Sequence, residues 1–106
     1  MCGIAGLFLR ERARVDERQL AAMTDAIAHR GPDDRTLHVA GRVGLGYRRL
    51  SVIDPAGGRQ PLFNEARDVT LIFNGELYNF RELRAELQQA GHVFRTGSDA
   101  EVLVHL

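Results

Sequence analysis

The chain has 106 residues, enough for one domain that buries about 60 to 70% of the surface its unfolded form would expose. Lys plus Arg and Asp plus Glu stand at 14 each, so no net field draws in nucleic acid or an anionic membrane, and recognition has to be local. A single cysteine excludes an intrachain disulfide, the start lacks a basic leader, and no apolar run reaches the roughly 18 residues of a membrane span. The expectation is a soluble protein of a reducing cytoplasm.

Cys2 stands directly behind Met1 and leads into the apolar run Gly3-Ile4-Ala5-Gly6-Leu7-Phe8-Leu9, which reads as a strand. Once Met1 is trimmed, this one residue carries both a thiol and the free α-amine. The thiolate is the reactive form of cysteine, and an amine titrating at about 7.7 to 8 is neutral often enough to act as its base. After a charged link, Asp16 with Gln19 predicts a helix N-terminus, and Leu20, Met23, Ile27 and Ala28 fall on one face of a helix running to His29. Gly31 suits a left-handed cap and Pro32 cannot continue the helix.

Thr36–Val39 and Val43–Tyr47 flank Ala40-Gly41-Arg42 as a hairpin. The second run passes through Arg48 and Arg49, and strand alternation sends one arginine towards solvent and the other towards a site. Asp54 to Gly58 is a turn-rich loop. Gln60 to Asn64 returns towards Val69 to Phe73, the most apolar stretch, read as a central buried strand. Asn74-Gly75 then stands at a strand-to-helix connection, because Asn79 with Glu82 opens a helix bearing Leu83, Leu87 and Ala90 and closed by Gly91. His92 to Arg95 reads as a short strand, and Ser98 with Glu101 starts a third helix whose apolar face is Val102, Leu103 and Leu106. That helix has no cap. The four histidines show no metal-ligand spacing and there is no phosphate loop, so neither a metal nor a nucleotide site is expected within these residues.

Five pieces stand in order: Met1-Cys2-Gly3-Ile4, His29-Arg30-Gly31-Pro32-Asp33, Arg49-Leu50-Ser51-Val52-Ile53-Asp54, Asn74-Gly75-Glu76-Leu77-Tyr78-Asn79 and Thr96-Gly97-Ser98-Asp99. Together they resemble the N-terminal glutaminase domain of glutamine-dependent asparagine synthetases, class II glutamine amidotransferases of the N-terminal nucleophile hydrolase group. The resemblance covers nearly the whole chain and implies an α+β fold, the αββα four-layer sandwich, of which residues 1–106 would be an incomplete N-terminal part.

The resemblance implies that Cys2 is the nucleophile, that Arg49 grips the α-carboxylate of glutamine, and that Asn74 and Gly75 form the oxyanion hole. Glu76 and Asp99 would hold the substrate's amino end, with Leu50, Ser51, Val52 and Ile53 lining the same pocket. The chemistry agrees: a guanidinium fork meets a carboxylate in two parallel bonds, Asp99 complements an ammonium, and an amide plus a glycine N–H suit a developing oxyanion. The implied activity is hydrolysis of glutamine to glutamate and ammonia through a Cys2 thioester. The ammonia would feed an ATP- and magnesium-dependent synthetase domain, in cis or in trans, in asparagine or related biosynthesis. A homodimer is compatible with this; nucleic acid and membrane partners are not expected. Tyr47 stands where many relatives carry His, and is expected to play a supporting role without disabling the site. Arg48 stands where others carry Glu and is expected to face the surface. The alternative reading is a catalytically silent fragment or an interaction domain of the same fold.

Overall fold

The computed structural model describes residues 2–50 and 59–106. The chain is a mixed α/β protein that divides into two compact units, Met1–Ile53 and Asp54–Leu106. In the first, β1 (Gly3–Phe8), β2 (Asp34–Ala40) and β3 (Val43–Arg49) form an antiparallel sheet in the order β1-β3-β2, and α1 (Glu17–Asp25) packs on it. The predicted hairpin is present: Ala40 pairs with Val43, leaving Gly41 and Arg42 as the loop. Gly41 has φ +57°. Positive φ at the first loop position alone matches the turn that glycine favours there, whose twist suits the flanking strands.

Alternation along β3 explains how the helix seats. Gly44, Gly46 and Arg48 point to the α1 side, and a Cβ on Gly44 would stand 2.8 Å from Val15 and 3.2 Å from Leu20. On Gly46 it would overlap the Thr24 hydroxyl, which is buried and donates to the Leu20 carbonyl at 2.7 Å. The missing side chains on β3 are therefore filled by Val15, Leu20 and Thr24 of the helical layer, close packing in which one added methyl is felt. The other face carries Val43, Leu45, Tyr47 and Arg49 of β3 beside Ile4 and Phe8 of β1, and there Ile4 is 49% and Phe8 66% exposed.

Asp16 caps α1 as predicted, accepting from the Arg18 N–H at 2.9 Å. The helix is shorter than predicted, however, ending at Asp25 and giving way to a 3-10 turn, Ala28–Arg30. Gly31 is not a left-handed cap: its φ is −148°. Glycine is required there for a different reason, because a Cβ would lie 2.5 Å from both the Arg48 carbonyl oxygen and the Arg49 nitrogen. Residues 30–33 lie directly on the end of β3, with Pro32 bridged to Arg49 and the Asp33 N–H donating to the Arg49 carbonyl at 3.0 Å.

In the second unit β4 (Leu62–Phe63) and β5 (Thr70–Leu71) form a short antiparallel pair, followed by α2 (Phe80–Gln89) and by a 3-10 turn, Asp99–Glu101, that runs into α3 (Val102–His105). Asn64 closes the β4–β5 turn by accepting from the N–H groups of Asp68 and Val69. The core gathers Leu62, Ala100 and Val104, with Leu71 and Phe73 packed against it. Val69 to Phe73 is not the predicted central buried strand. Only Thr70 and Leu71 pair, among the described residues their one partner is β4, and Val69 is 45% exposed.

Further differences concern caps and the last turns. Asn79 occupies the N-cap position of α2 but makes no capping hydrogen bond. Its C-terminus is as predicted: Gly91 has φ +99°, its N–H donates to the Gln88 carbonyl and that of His92 to Leu87, the paired bonds of a glycine-terminated helix. Of its predicted apolar face, Leu83 and Leu87 are half-buried and Ala90 is exposed. His92 to Arg95 is not a strand, because the N–H groups of Arg95 and Thr96 are taken by the buried Glu101 carboxylate at 3.0–3.3 Å. Ser98 caps the last helical segment through the Ala100 N–H, while Glu101 turns away from the predicted capping box to serve that loop. The buried face of α3 is Val102, Val104 and His105, and Leu106 is exposed. Among the described residues no helix is long and apolar enough to cross a membrane.

Candidate active site

β1 begins one residue after Cys2, and the register Gly3 to Arg48 and Ile4 to Tyr47 carries Cys2 to the end of β3 where Arg49 and Leu50 lie. Two hydrogen bonds meet it: the Leu50 N–H points at Sγ at 3.4 Å and Arg30 Nε donates to the Cys2 carbonyl at 3.1 Å, while the Tyr47 phenol is a neighbour of the thiol.

Tyr47 is buried, and that burial raises its pKa well above the ordinary tyrosine value. The hydrogen bond to Cys2 and the charge of its thiolate push in the same direction, while Arg49 pulls back. A raised acid pKa means that the phenol keeps its proton throughout the neutral range and remains a donor. The residue is thus a direct neighbour of the thiol, closer to it than the supporting role expected from the sequence.

Arg49 is 8% exposed and on the same face of β3 as Tyr47, whereas Arg48 points to the α1 side. The expectation that Arg48 faces solvent is incorrect. Its Nε donates to the Gly31 carbonyl at 2.8 Å, its guanidinium approaches Asp25 at 3.7 Å, and its side chain is only 13% exposed. The alternation was right; what it could not reveal is that the end of α1 and residues 30–33 cover the second face. Leu50 is described and partly exposed, while Ser51, Val52, Ile53, Met1 and the predicted loop from Asp54 to Gly58 lie outside the described residues.

The second unit holds the other predicted residues. Gln60 acts as a two-pronged support directly ahead of Asn74, its Nε2 donating to the Phe73 carbonyl at 3.0 Å and its Oε1 accepting from the Phe73 N–H at 2.5 Å. Asp99 Oδ2 accepts the Leu77 N–H at 2.7 Å, which ties the Asn74–Leu77 loop to the start of the last helical segment. A carboxylate has further acceptor capacity after one such bond, so Asp99 both shapes the loop and can still meet an ammonium. Glu76 and Gly75 are exposed, and Asn74 is half-buried. Among the described residues neither the Asn74 side-chain amide nor the Gly75 N–H has a hydrogen-bond partner. Gln60 was not singled out in the sequence, and a glutamine before a proline gives no local sign of such a role.

A cavity of about 300 Å³ lined by Leu9, Arg10, Glu11 and Ala13 lies beyond the far end of β1 from Cys2 and contains none of these groups. The fold also gathers Glu65, His92 and His105, each with a ligand-capable atom within 4.8 Å of the others. Their sequence separation hid this from a search by spacing.

The profile of a family described as "Glutamine amidotransferase domain" matches residues 1–106. Asparagine synthetase (glutamine-hydrolyzing) 2 of Bacillus subtilis is 45% identical over 109 residues, covering 100% of this chain and 14% of the relative. Asparagine synthetase (glutamine-hydrolyzing) 1 of Lotus japonicus is 43% identical and that of Arabidopsis thaliana 45%, each over 107 residues and covering 100% of this chain and 18% of the relative. The chain thus spans less than a fifth of the length of these relatives.

Proposed function

The chain belongs to the glutamine amidotransferase domain family, and on that premise we propose that it hydrolyses glutamine to glutamate and ammonia with Cys2 as the nucleophile. The Cys2 thiolate attacks the side-chain amide carbon of glutamine, the α-amine of a mature Cys2 taking the thiol proton and passing it to the leaving ammonia. Collapse of the tetrahedral intermediate leaves a γ-glutamyl thioester, which water opens to glutamate. Arg49 binds the substrate carboxylate, Asp99 and Glu76 its ammonium, and Asn74 with the Gly75 N–H the developing oxyanion.

The observation that carries this reading is the setting of Cys2. The only thiol of the chain sits at the start of a strand, with the Leu50 N–H at its sulfur and the Tyr47 phenol as a neighbour. A buried structural cysteine would not collect polar donors in this way. Two donors at Asn74 and Gly75 that have no partner among the described residues, on a loop braced by Gln60 and Asp99, support the oxyanion assignment.

The αββα sandwich is part of the same proposal. A sheet with a helix on one face and exposed Ile4 and Phe8 on the other is the outer half of such a stack, the open face being the one a second sheet would cover. The names of the relatives support delivery of the ammonia to a synthetase domain, in cis or in trans; a cytoplasmic setting is part of the proposal. ATP and magnesium would belong to that domain, and no residue here is assigned to them. Glutamate and ammonia release from glutamine by the purified protein tests the reading: Cys2→Ser is expected to abolish turnover while still binding glutamine. Turnover unchanged in that variant, or absent in the parent, would leave the silent domain as the better account.

A further inference from the structure

Three side chains far apart in sequence converge in the second unit, and none of them has a role in glutamine hydrolysis as proposed above. Glu65 lies in the β4–β5 turn, His92 follows the glycine that ends α2, and His105 lies in α3. Glu65 Oε2 is 3.0 Å from His92 Nδ1, Glu65 Oε1 lies against His105 Nδ1, and the two imidazoles are 5.2 Å apart between centroids. His105 is 6% exposed with Phe94 packed on its ring at 4.5 Å, and among the described residues its Nε2 has no hydrogen-bond partner. A buried polar atom left without a partner is costly, and native structures rarely tolerate it without a reason.

We infer that Glu65, His92 and His105 form a binding site for a divalent transition-metal ion of the zinc type. Two imidazoles and one carboxylate are a donor set zinc accepts, with a fourth position left to water. Imidazole nitrogen disfavours calcium and magnesium, which select oxygen ligands. Metal–ligand bonds of about 2.0 to 2.2 Å place tetrahedral ligand atoms about 3.4 Å apart. The three groups already lie within 4.8 Å of one another, and the widest separation closes by rotation of the exposed Glu65 and half-buried His92 about a fixed His105.

Such an ion ties together the β4–β5 turn, the end of α2 and α3, so binding couples to folding rather than to catalysis. The inference is independent of the glutaminase reading. It is tested on purified, chelator-treated protein carrying Cys2→Ser, which removes the one competing thiol, by calorimetric titration and thermal melts with zinc sulfate. The expected result is one zinc per chain at micromolar concentration, with a raised melting temperature that EDTA reverses. Glu65→Gln and His92→Ala, both at positions open enough to spare the fold, should each weaken binding by about tenfold or more. No stoichiometric uptake at micromolar zinc, or equal affinity in the parent and both variants, would overturn the site and leave the cluster as an ion pair.

Discussion

Replacing Gly31 by alanine tests whether residues 30–33 are what hold the end of β3. A methyl there would stand 2.5 Å from both the Arg48 carbonyl oxygen and the Arg49 nitrogen. Ordinary contact is about 3.5 to 4.0 Å, so the two backbones must separate by roughly 1 Å. Neither obstacle is a side chain that can rotate away. Forced overpacking costs about 1 to 3 kcal/mol, and a strained Arg48 to Gly31 bond, now 2.8 Å, loses part of the about 1.5 to 3 kcal/mol of a charged hydrogen bond. Together these predict a loss of about 2 to 5 kcal/mol, a large share of the about 5 to 15 kcal/mol that holds a typical domain. Urea unfolding followed by circular dichroism measures it. Gly97→Ala is the control, since a Cβ there meets nothing within 4 Å, and it should be neutral or slightly stabilising. A Gly31→Ala protein within about 0.5 kcal/mol of the parent, or an equal loss in Gly97→Ala, would refute the reasoning.

The two arginines should separate by readout: Arg48→Lys is expected to lower the melting temperature, because an ammonium cannot keep both the Gly31 and Asp25 contacts, while leaving KM for glutamine unchanged. Arg49→Lys should instead raise KM, as steady-state kinetics would show. Tyr47→Phe removes the hydroxyl that neighbours the thiol and should lower kcat/KM by about three- to tenfold. The pH profile of Tyr47→Phe should keep the parent's limbs across the neutral range, because the raised pKa keeps this phenol protonated there. Asn74→Asp should reduce kcat by about 10² to 10³ with little change in the melting temperature, since a carboxylate repels the oxyanion but preserves the loop.

Where the signal is local, the sequence was readable. Gly41 forced the hairpin, Asp16 and Ser98 capped their helices, and Gly91 ended α2, each through one residue's backbone or side-chain preference. The strand leading from Cys2 was legible too. Misreadings arose where a partner from elsewhere in the fold won. Glu101 abandons its predicted capping box because the N–H groups of Arg95 and Thr96 need its carboxylate, and the same bonds remove the expected strand at His92 to Arg95. Gly31 looked like a helix terminator and is in fact a point of backbone contact. Arg48 was assigned to solvent because alternation says which side a residue takes but not what covers that side. The grouping of Glu65, His92 and His105 depends entirely on the packing of three segments, and no spacing rule reaches it.

Acid-quenched single-turnover mass spectrometry with glutamine puts the central claim to its most direct test. The account predicts a transient γ-glutamyl adduct that maps to Cys2 in an N-terminal peptide beginning at that residue, and that Cys2→Ser does not form it. Glutamine hydrolysis with no adduct in that peptide, or full activity with Met1 still attached, would contradict it.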